Sequence, residues 1–314
     1  MRLFTAVTLM RQVYPSVQTK LDKWRDDISE MVFVLGDLFD EGDLVGRADY
    51  EDYVERFRRM FRVPEGTKVQ AVVGNHDVGF HYSLQPERLA IFESAFQTPL
   101  VHLVSAKGSD FVILNSMSFE GDGCDLCSRA AVELQEISSK LRPKSCSDGA
   151  ATCQRRPFVL LHFPLFRKSE AICNEPDGAP PELAEKPFRP KWECLSLDAT
   201  ERILNLLNPR GVFSGHSHNG CFLKHNQTPE WTVSSFNWRN RNNPAFLLTQ
   251  ISPSDIAVSK CLMPQESTVI MLYKLSALCI LCLLLTPLWK YASRLSQAVA
   301  SHPDYKRTNN SKIK

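Results

Sequence analysis

Neither sign of charge prevails in this chain: 37 lysines and arginines stand against 35 aspartates and glutamates, a net charge of +2 over 314 residues. So even a balance excludes the broad basic face that nucleic acid demands, and no nucleic-acid or strongly acidic partner is expected. Internal repeats and low-complexity tracts are missing. The first twenty residues show no signal peptide, because Arg2, Arg11 and Lys20 interrupt the apolar residues and no small-residue cleavage site follows. Met1 to Glu30 also contains no histidine, and its acids Asp22, Asp26, Asp27 and Glu30 fall on a stretch of helical, solvated character.

What is present describes a globular protein with an anchor. Hydrophobic residues make up 43% and charged residues 23%, and the length allows a sizeable core. There are ten cysteines. Cys279 and Cys282 lie in an apolar run and are expected to face lipid. The others, from Cys124 to Cys261, form an even set that suits disulfides in an oxidising compartment, with the pairing open. Cys124-x-x-Cys127 lacks the second matching pair of a zinc site and sits at no helix start of the thioredoxin kind. A structural disulfide, within the pair or to other cysteines, is expected there.

From Val269 to Trp289 the chain reads VIMLYKLSALCILCLLLTPLW, with Lys274 the only charge. As a helix this segment spans roughly 30 Å, the thickness of a bilayer core, and it has no polar face. The tail at 290–314 carries Lys290, Arg294, Lys306, Arg307, Lys312 and Lys314 against Asp304. The positive-inside rule makes that tail cytosolic and the body lumenal. The sequon Asn226-Gln227-Thr228 agrees with this orientation, and Asn309-Asn310-Ser311 should stay unmodified. The expected organisation is a lumenal domain over 1–265, a transmembrane helix over 269–289 and a short basic tail over 290–314.

Within the body, Met31–Leu35, Val69–Val73, Phe111–Leu114, Phe158–Leu161 and Val212–Phe213 read as buried strands. Asp49–Arg62, Pro86–Phe96, Arg129–Leu141 and Leu197–Leu207 carry apolar residues at helical spacing. Alternation of the two predicts an α/β layered domain, with antiparallel strands from Trp231 to Val258. Lys144 to Trp192 reads as two long loops around the Phe158–Leu161 strand, to be pinned by Cys146, Cys153 and Cys173.

Four of these strands are followed at once by metal-binding residue types. They are Gly36-Asp37-Leu38-Phe39-Asp40, Gly74-Asn75-His76-Asp77, His162-Phe163-Pro164 and Gly215-His216-Ser217-His218. Ligands in α/β sheets gather at the carboxyl ends of strands, so these loops should converge. Carboxylate, amide oxygen and imidazole together suit Mn, Fe or Zn better than Ca or Mg. Two such ions would clamp a phosphate and activate water.

The order Gly-Asp, Gly-Asn-His-Asp, His, Gly-His-x-His resembles that of the calcineurin-like metallophosphoesterases. With Gly79-Phe80-His81-Tyr82, Gly121-Asp122-Gly123-Cys124 and Trp238-Arg239-Asn240-Arg241-Asn242-Asn243-Pro244, the chain is similar to the GPI-anchor remodelling phosphodiesterases among them. The resemblance implies a four-layer α/β/β/α sandwich and two divalent ions, manganese expected and iron or zinc possible in their place. It makes Asp37 the bridging ligand, adds Asn75, His162 and His216 to one ion, and gives His218 to the other. His76 would be the general acid, with Asp40 holding its imidazole. Arg239 and Arg241 would meet an anionic substrate or pair with surface acids. The implied reaction removes the ethanolamine-phosphate side branch from the second mannose of GPI anchors. The implied setting is the ER–Golgi membrane (ER exit sites, intermediate compartment and cis-Golgi), with GPI-anchored proteins as substrates and ER-export cargo receptors as partners.

One departure stands out. The family begins with a strand ending in Asp-x-His, and no such motif precedes Asp37. The first strand is therefore expected to be lacking and the second metal site incomplete, with a start upstream of Met1. Residues 1–314 as written are expected to have little or no catalysis. A generic phosphomonoesterase and a glycan-binding pseudoenzyme are the alternatives.

Overall fold

The computed structural model describes residues 2–5, 31–142, 155–252 and 254–301. The expectations for Cys146, Cys153, Asp22, Asp26, Asp27, Glu30 and the Asn309 sequon lie outside these residues. The chain divides into two compact units, Met1–Met263 and Pro264–Lys314.

In the first unit the strands are β1 (Arg2–Thr5), β2 (Met31–Val34), β3 (Lys68–Ala71), β4 (Val101–Ala106), β5 (Ser109–Leu114), β6 (Phe158–Leu161), β7 (Gly211–Ser214), β8 (Cys221–His225), β9 (Thr228–Thr232), β10 (Ala245–Ile251) and β11 (Ile256–Leu262). The helices are α1 (Arg47–Met60), α2 (Asn75–Val78), α3 (Pro86–Phe96), α4 (Asp125–Leu141), α5 (Pro181–Ala184) and α6 (Leu197–Leu207). One sheet runs β11-β10-β1-β2-β3 and the other β4-β5-β6-β7-β9-β8.

Period-two alternation decides which layer each side chain enters. Phe111 and Ile113 of β5, and Phe158 and Leu160 of β6, join Met31, Phe33 and Leu247 in one core cluster. Val112, Leu114, Val159 and Leu161 point the other way, into a cluster with Leu134 of α4 and Ile203 of α6. Tyr50 and Phe57 of α1 and Phe92 of α3 join Val34, Ala71 and Val73 of β2, β3 and the loop after it. The result is the α/β/β/α layering that the sequence led us to expect. Local signals agree with the helix starts: Pro86 opens α3, and the Ser196 hydroxyl accepts the Ala199 amide at 3.2 Å to cap α6.

The first strand is not lacking, which corrects the sequence-based expectation. Arg2–Thr5 pairs parallel with β2, Leu3 opposite Met31, and antiparallel with β10, Leu3 opposite Thr249. Backbone pairing asks for extended chain and not for particular side chains, and it leaves no open edge between β2 and β10. β1 therefore forms without Asp-x-His: Ala6 and Val7 follow Thr5. Strands β4 and β8, which the sequence did not reveal, pair antiparallel with β5 and β9.

The second unit contains α7 (Glu266–Ser301), long and apolar enough to cross a membrane. The helix continues beyond Trp289, where the apolar run ends, and carries Pro287 within it.

Candidate metal centre

Strands β2 and β3 run parallel in one sheet, and β6 and β7 run parallel in the other. Their carboxyl ends deliver Asp37, Asn75, His162 and His216 to one place. The Nε2 atom of His162 lies 3.1 Å from the Asn75 amide oxygen, 3.2 Å from His216 Nδ1 and 3.3 Å from Asp37 Oδ2. Two glycines permit this approach. A Cβ on Gly36, whose φ is +94°, would stand 2.4 Å from His162 Nδ1, and one on Gly74 would stand 2.2 Å from the Asp37 amide.

The outer nitrogens of the two imidazoles fix their tautomers. His162 Nδ1 donates to the Leu35 carbonyl at 2.7 Å, and His216 Nε2 donates to the Trp192 carbonyl at 2.6 Å. The inner nitrogens then present lone pairs toward a carboxylate oxygen and an amide oxygen, which are acceptors as well. A cation at the centre, or an extra proton on an imidazole, would reconcile these four facing acceptors. The donor set fits one divalent ion of the Mn, Fe or Zn kind.

The electrostatics favour positive charge at this centre, whether an ion or a proton on His162. Burial pushes the Asp37 carboxyl up, but His162, then His76 and His216, outweigh it and hold the group well below the usual carboxylate range. Burial also opposes a charge on His162, yet Asp37 and the Leu35 carbonyl prevail and raise it above its ordinary value. His216 is pushed down to about 3, by burial first and His162 second. His218 is lowered to about 4, by burial with help from His162 and His76 against the pull of Asp37. Both are therefore neutral at physiological pH, as metal ligands must be.

The remaining expected residues sit around this core. His218 is half-buried and outside the four-donor convergence, its Nε2 meeting the Asn240 amide nitrogen at 3.2 Å. His76 is exposed, its backbone N–H donates to Asp37 Oδ1 at 3.0 Å, and its Nδ1 lies 3.0 Å from the backbone carbonyl of Asp40. The role expected of Asp40 is corrected here. Its main-chain oxygen holds His76, while its exposed carboxylate turns outward to pair with Arg239. The Nε of Arg241 is buried without a hydrogen-bond partner.

Several supporting residues have roles that the sequence reading did not assign. Fully buried Asp77 accepts N–H bonds from Gly74 at 2.8 Å and Phe39 at 3.0 Å, tying two ligand loops together. Burial, and then the charge of Asp37, push its carboxyl up to about 8. Buried Arg167 pairs with Glu170 at 3.0 Å and reaches the Ser217 hydroxyl, and Glu170 accepts the Asn219 amide at 2.6 Å. This network, with the Cys173–Cys221 disulfide, braces the loop of His216 and His218. Asp77 was visible as the last letter of Gly-Asn-His-Asp. Ser217 and Asn219, the partners of Arg167 and Glu170, lie too far along the chain for any local pattern to show. Cysteine pinning of the long loop is met by Cys173, whereas Cys124, Cys127, Cys194 and Cys261 are free thiols, against the expectation of disulfides.

Beside His216, three aromatic rings form a continuous surface. Phe80 and Tyr82 stack with centroids 5.8 Å apart, and Trp192 lies 5.1 Å from Tyr82 and 5.2 Å from Phe80. Tyr82 is 67% and Trp192 40% exposed, unusual for rings of this size in mutual contact.

Known proteins place this architecture. The model of the calcineurin-like phosphoesterase family matches residues 11–220. Proteins called Metallophosphoesterase 1 are similar over most of the chain. That of Gallus gallus is 39% identical over 300 residues, 90% of this chain and 75% of its own length. That of Mus musculus is 43% identical over 79% of this chain, and that of Macaca fascicularis 42% identical over 78%. The matched part spans 65% of the mouse protein and 63% of the macaque protein. Among solved structures, a purple acid phosphatase from yellow lupin shares the fold, with TM-score 0.50 and 13% identity over 83% of this chain and 51% of its own. Strand-end ligand loops, sandwich layering and these likenesses agree: the chain belongs to the calcineurin-like phosphoesterase family.

Proposed function

We propose that this chain is a metal-dependent phosphodiesterase for a phosphodiester borne on a lipid-linked glycan. The observation that carries the reading is the convergence of Asp37, Asn75, His162 and His216, lone pairs inward, next to an exposed aromatic surface. Those four residues would hold one divalent ion, manganese in our reading. Asp37 and His218 would serve a second, for which the residues named so far offer two ligands. Ions bound there would supply Lewis acidity toward phosphoryl oxygens and acidify an attacking water.

The chain's own groups do the rest. His76 keeps its Nδ1–H on the Asp40 carbonyl, so Nε2 is the nitrogen that delivers a proton to the departing sugar alkoxide. Arg241, with its unpartnered Nε, supplies positive charge near His218 for the phosphoryl group. Phe80, Tyr82 and Trp192 offer flat faces to a sugar ring or an ammonium group.

The finer reading is removal of the ethanolamine-phosphate branch from the second mannose of GPI anchors, promoting ER-to-Golgi transport of the proteins that bear them. Substrates would be GPI-anchored proteins, with ER-export cargo receptors as partners and the domain on the lumenal side of ER–Golgi membranes. The similarity to Metallophosphoesterase 1, the apolar helix α7 and the Cys173–Cys221 disulfide support it.

The test is manganese-dependent hydrolysis of an ethanolamine-phosphate mannoside beside a mannose phosphomonoester. Preference for the diester is expected, and preference for the monoester would point to a generic phosphomonoesterase. The short ligand set for the second ion favours one other reading, a glycan-binding protein without turnover. Saturable glycan binding with no manganese-dependent hydrolysis would establish it.

A further inference from the structure

A second group of metal-binding side chains lies apart from the convergence just described. His81 opens the 3-10 turn His81–Ser83 beyond α2, while Asp122, Cys124 and Cys127 lead into and begin α4. One donor atom from each of the four lies within 4.8 Å of the others. Two thiols, an imidazole and a carboxylate match tetrahedral zinc in number and in softness. Zinc–ligand lengths place donors roughly 3.3–3.8 Å apart in such a site, so closing this one needs only small side-chain movements.

The surroundings are arranged as a metal site requires. His81 Nδ1 donates to the Met117 carbonyl at 2.7 Å, which leaves Nε2 turned inward, 2.8 Å from Asp122 Oδ2. A carbonyl on the far nitrogen is what fixes the tautomer of a ligating histidine. The other oxygen of Asp122 accepts the Cys124 amide at 3.1 Å, which holds the carboxylate in place. The Cys127 amide donates to Cys124 Sγ at 3.0 Å, which holds that sulfur in place. Cys124 is also the N-cap of α4, a helix of 17 residues. The pair therefore stands at a helix start, against the expectation of none of the thioredoxin kind there.

We propose that His81, Asp122, Cys124 and Cys127 bind a structural zinc ion that ties the loop of Phe80 and Tyr82 to the amino end of α4. Four protein ligands close the coordination sphere and leave no position for substrate. The site thereby holds the aromatic surface beside His216 instead of taking part in hydrolysis.

The experiment uses the full chain in detergent, loaded with zinc or with cobalt as a spectroscopic substitute. We expect one zinc per chain to remain when Asp37→Asn and His216→Ala have weakened the four-donor centre. The cobalt-loaded protein should show a sulfur-to-cobalt charge-transfer band in the near ultraviolet, lost in Cys124→Ser and in Cys127→Ser. Asp37, Asn75, His162 and His216 contain no sulfur and cannot give that band. Should a serine variant fail to fold, the unmodified chain decides alone. A Cys124–Cys127 disulfide in peptide maps of unreduced native protein, or cobalt-loaded chain without the band, overturns the proposal. Hydrolysis is no part of the readout, so the site can fail while the phosphodiesterase reading stands, and the reverse.

Discussion

The two groups of metal-binding residues are assembled by opposite means. Asp37, Asn75, His162 and His216 come from four strand ends in two different sheets, and no two of them belong to one element. Asp122, Cys124 and Cys127 belong to one turn and the helix start that follows it, with His81 the single distant member. The first group exists because the whole sandwich closes, with glycines where backbones touch and carbonyls where tautomers are set. The second is written mostly in one short segment. Catalytic geometry here is a property of the layered fold, whereas the sulfur group is close to a local motif, so the two should fail independently.

Removing His162, the imidazole that all other donors of the first group face, should have the largest effect. His162→Ala is expected to lower manganese-dependent diester hydrolysis by about 10³-fold or more, as loss of a metal ligand does. Metal analysis of the variant should show manganese lost and zinc on the sulfur group retained; joint loss of both would break the comparison. Gly74→Ala attacks the same centre without touching a ligand. With its Cβ 2.2 Å from the Asp37 amide, it should cost about 1–3 kcal/mol of stability by overpacking, read by denaturant unfolding, and about 10²-fold in activity.

His76→Ala should reduce kcat by about 10²-fold for a sugar-alkoxide leaving group and far less for p-nitrophenolate, which needs no proton. Equal losses on both substrates would remove His76 from the role of acid. Smallest is the aromatic surface: Tyr82→Ala and Trp192→Ala together should raise KM for a mannose-bearing diester by roughly tenfold, the worth of about 0.7 kcal/mol per ring contact. Because the bond to His216 comes from the Trp192 main chain, hydrolysis of a small diester should hardly change. A similar rise in KM for both substrates would mean that the rings shape the metal centre and not the glycan site.

Much of this was legible in the residues alone. Phe158–Leu161, Pro86–Phe96 and Leu197–Leu207 have the boundaries that periodicity and helix-start signals predicted, since strong local patterns coincide there with burial. Strand β4 was hidden because its burial is mixed, with no clean alternation to read. Strand β1 is hidden for a different reason: it lacks the Asp-x-His that would mark it, and the sheet requires only extended backbone beside β2 and β10. For Asp40, residue type suggested a carboxylate acting on His76, while the path of the chain put the carbonyl there.

By itself the sequence determined the period-two and helical faces, the four glycine- and histidine-bearing loops and the apolar segment of α7, because each depends on residue types a few positions apart. Which nitrogen of His162 and of His216 turns inward, how Arg167 and Glu170 brace a loop fifty residues on, and how His81 meets Cys124 and Cys127 were decided only when the layers packed. These are contacts between groups remote along the chain, and their energy is available only where folding has already excluded water and fixed both partners.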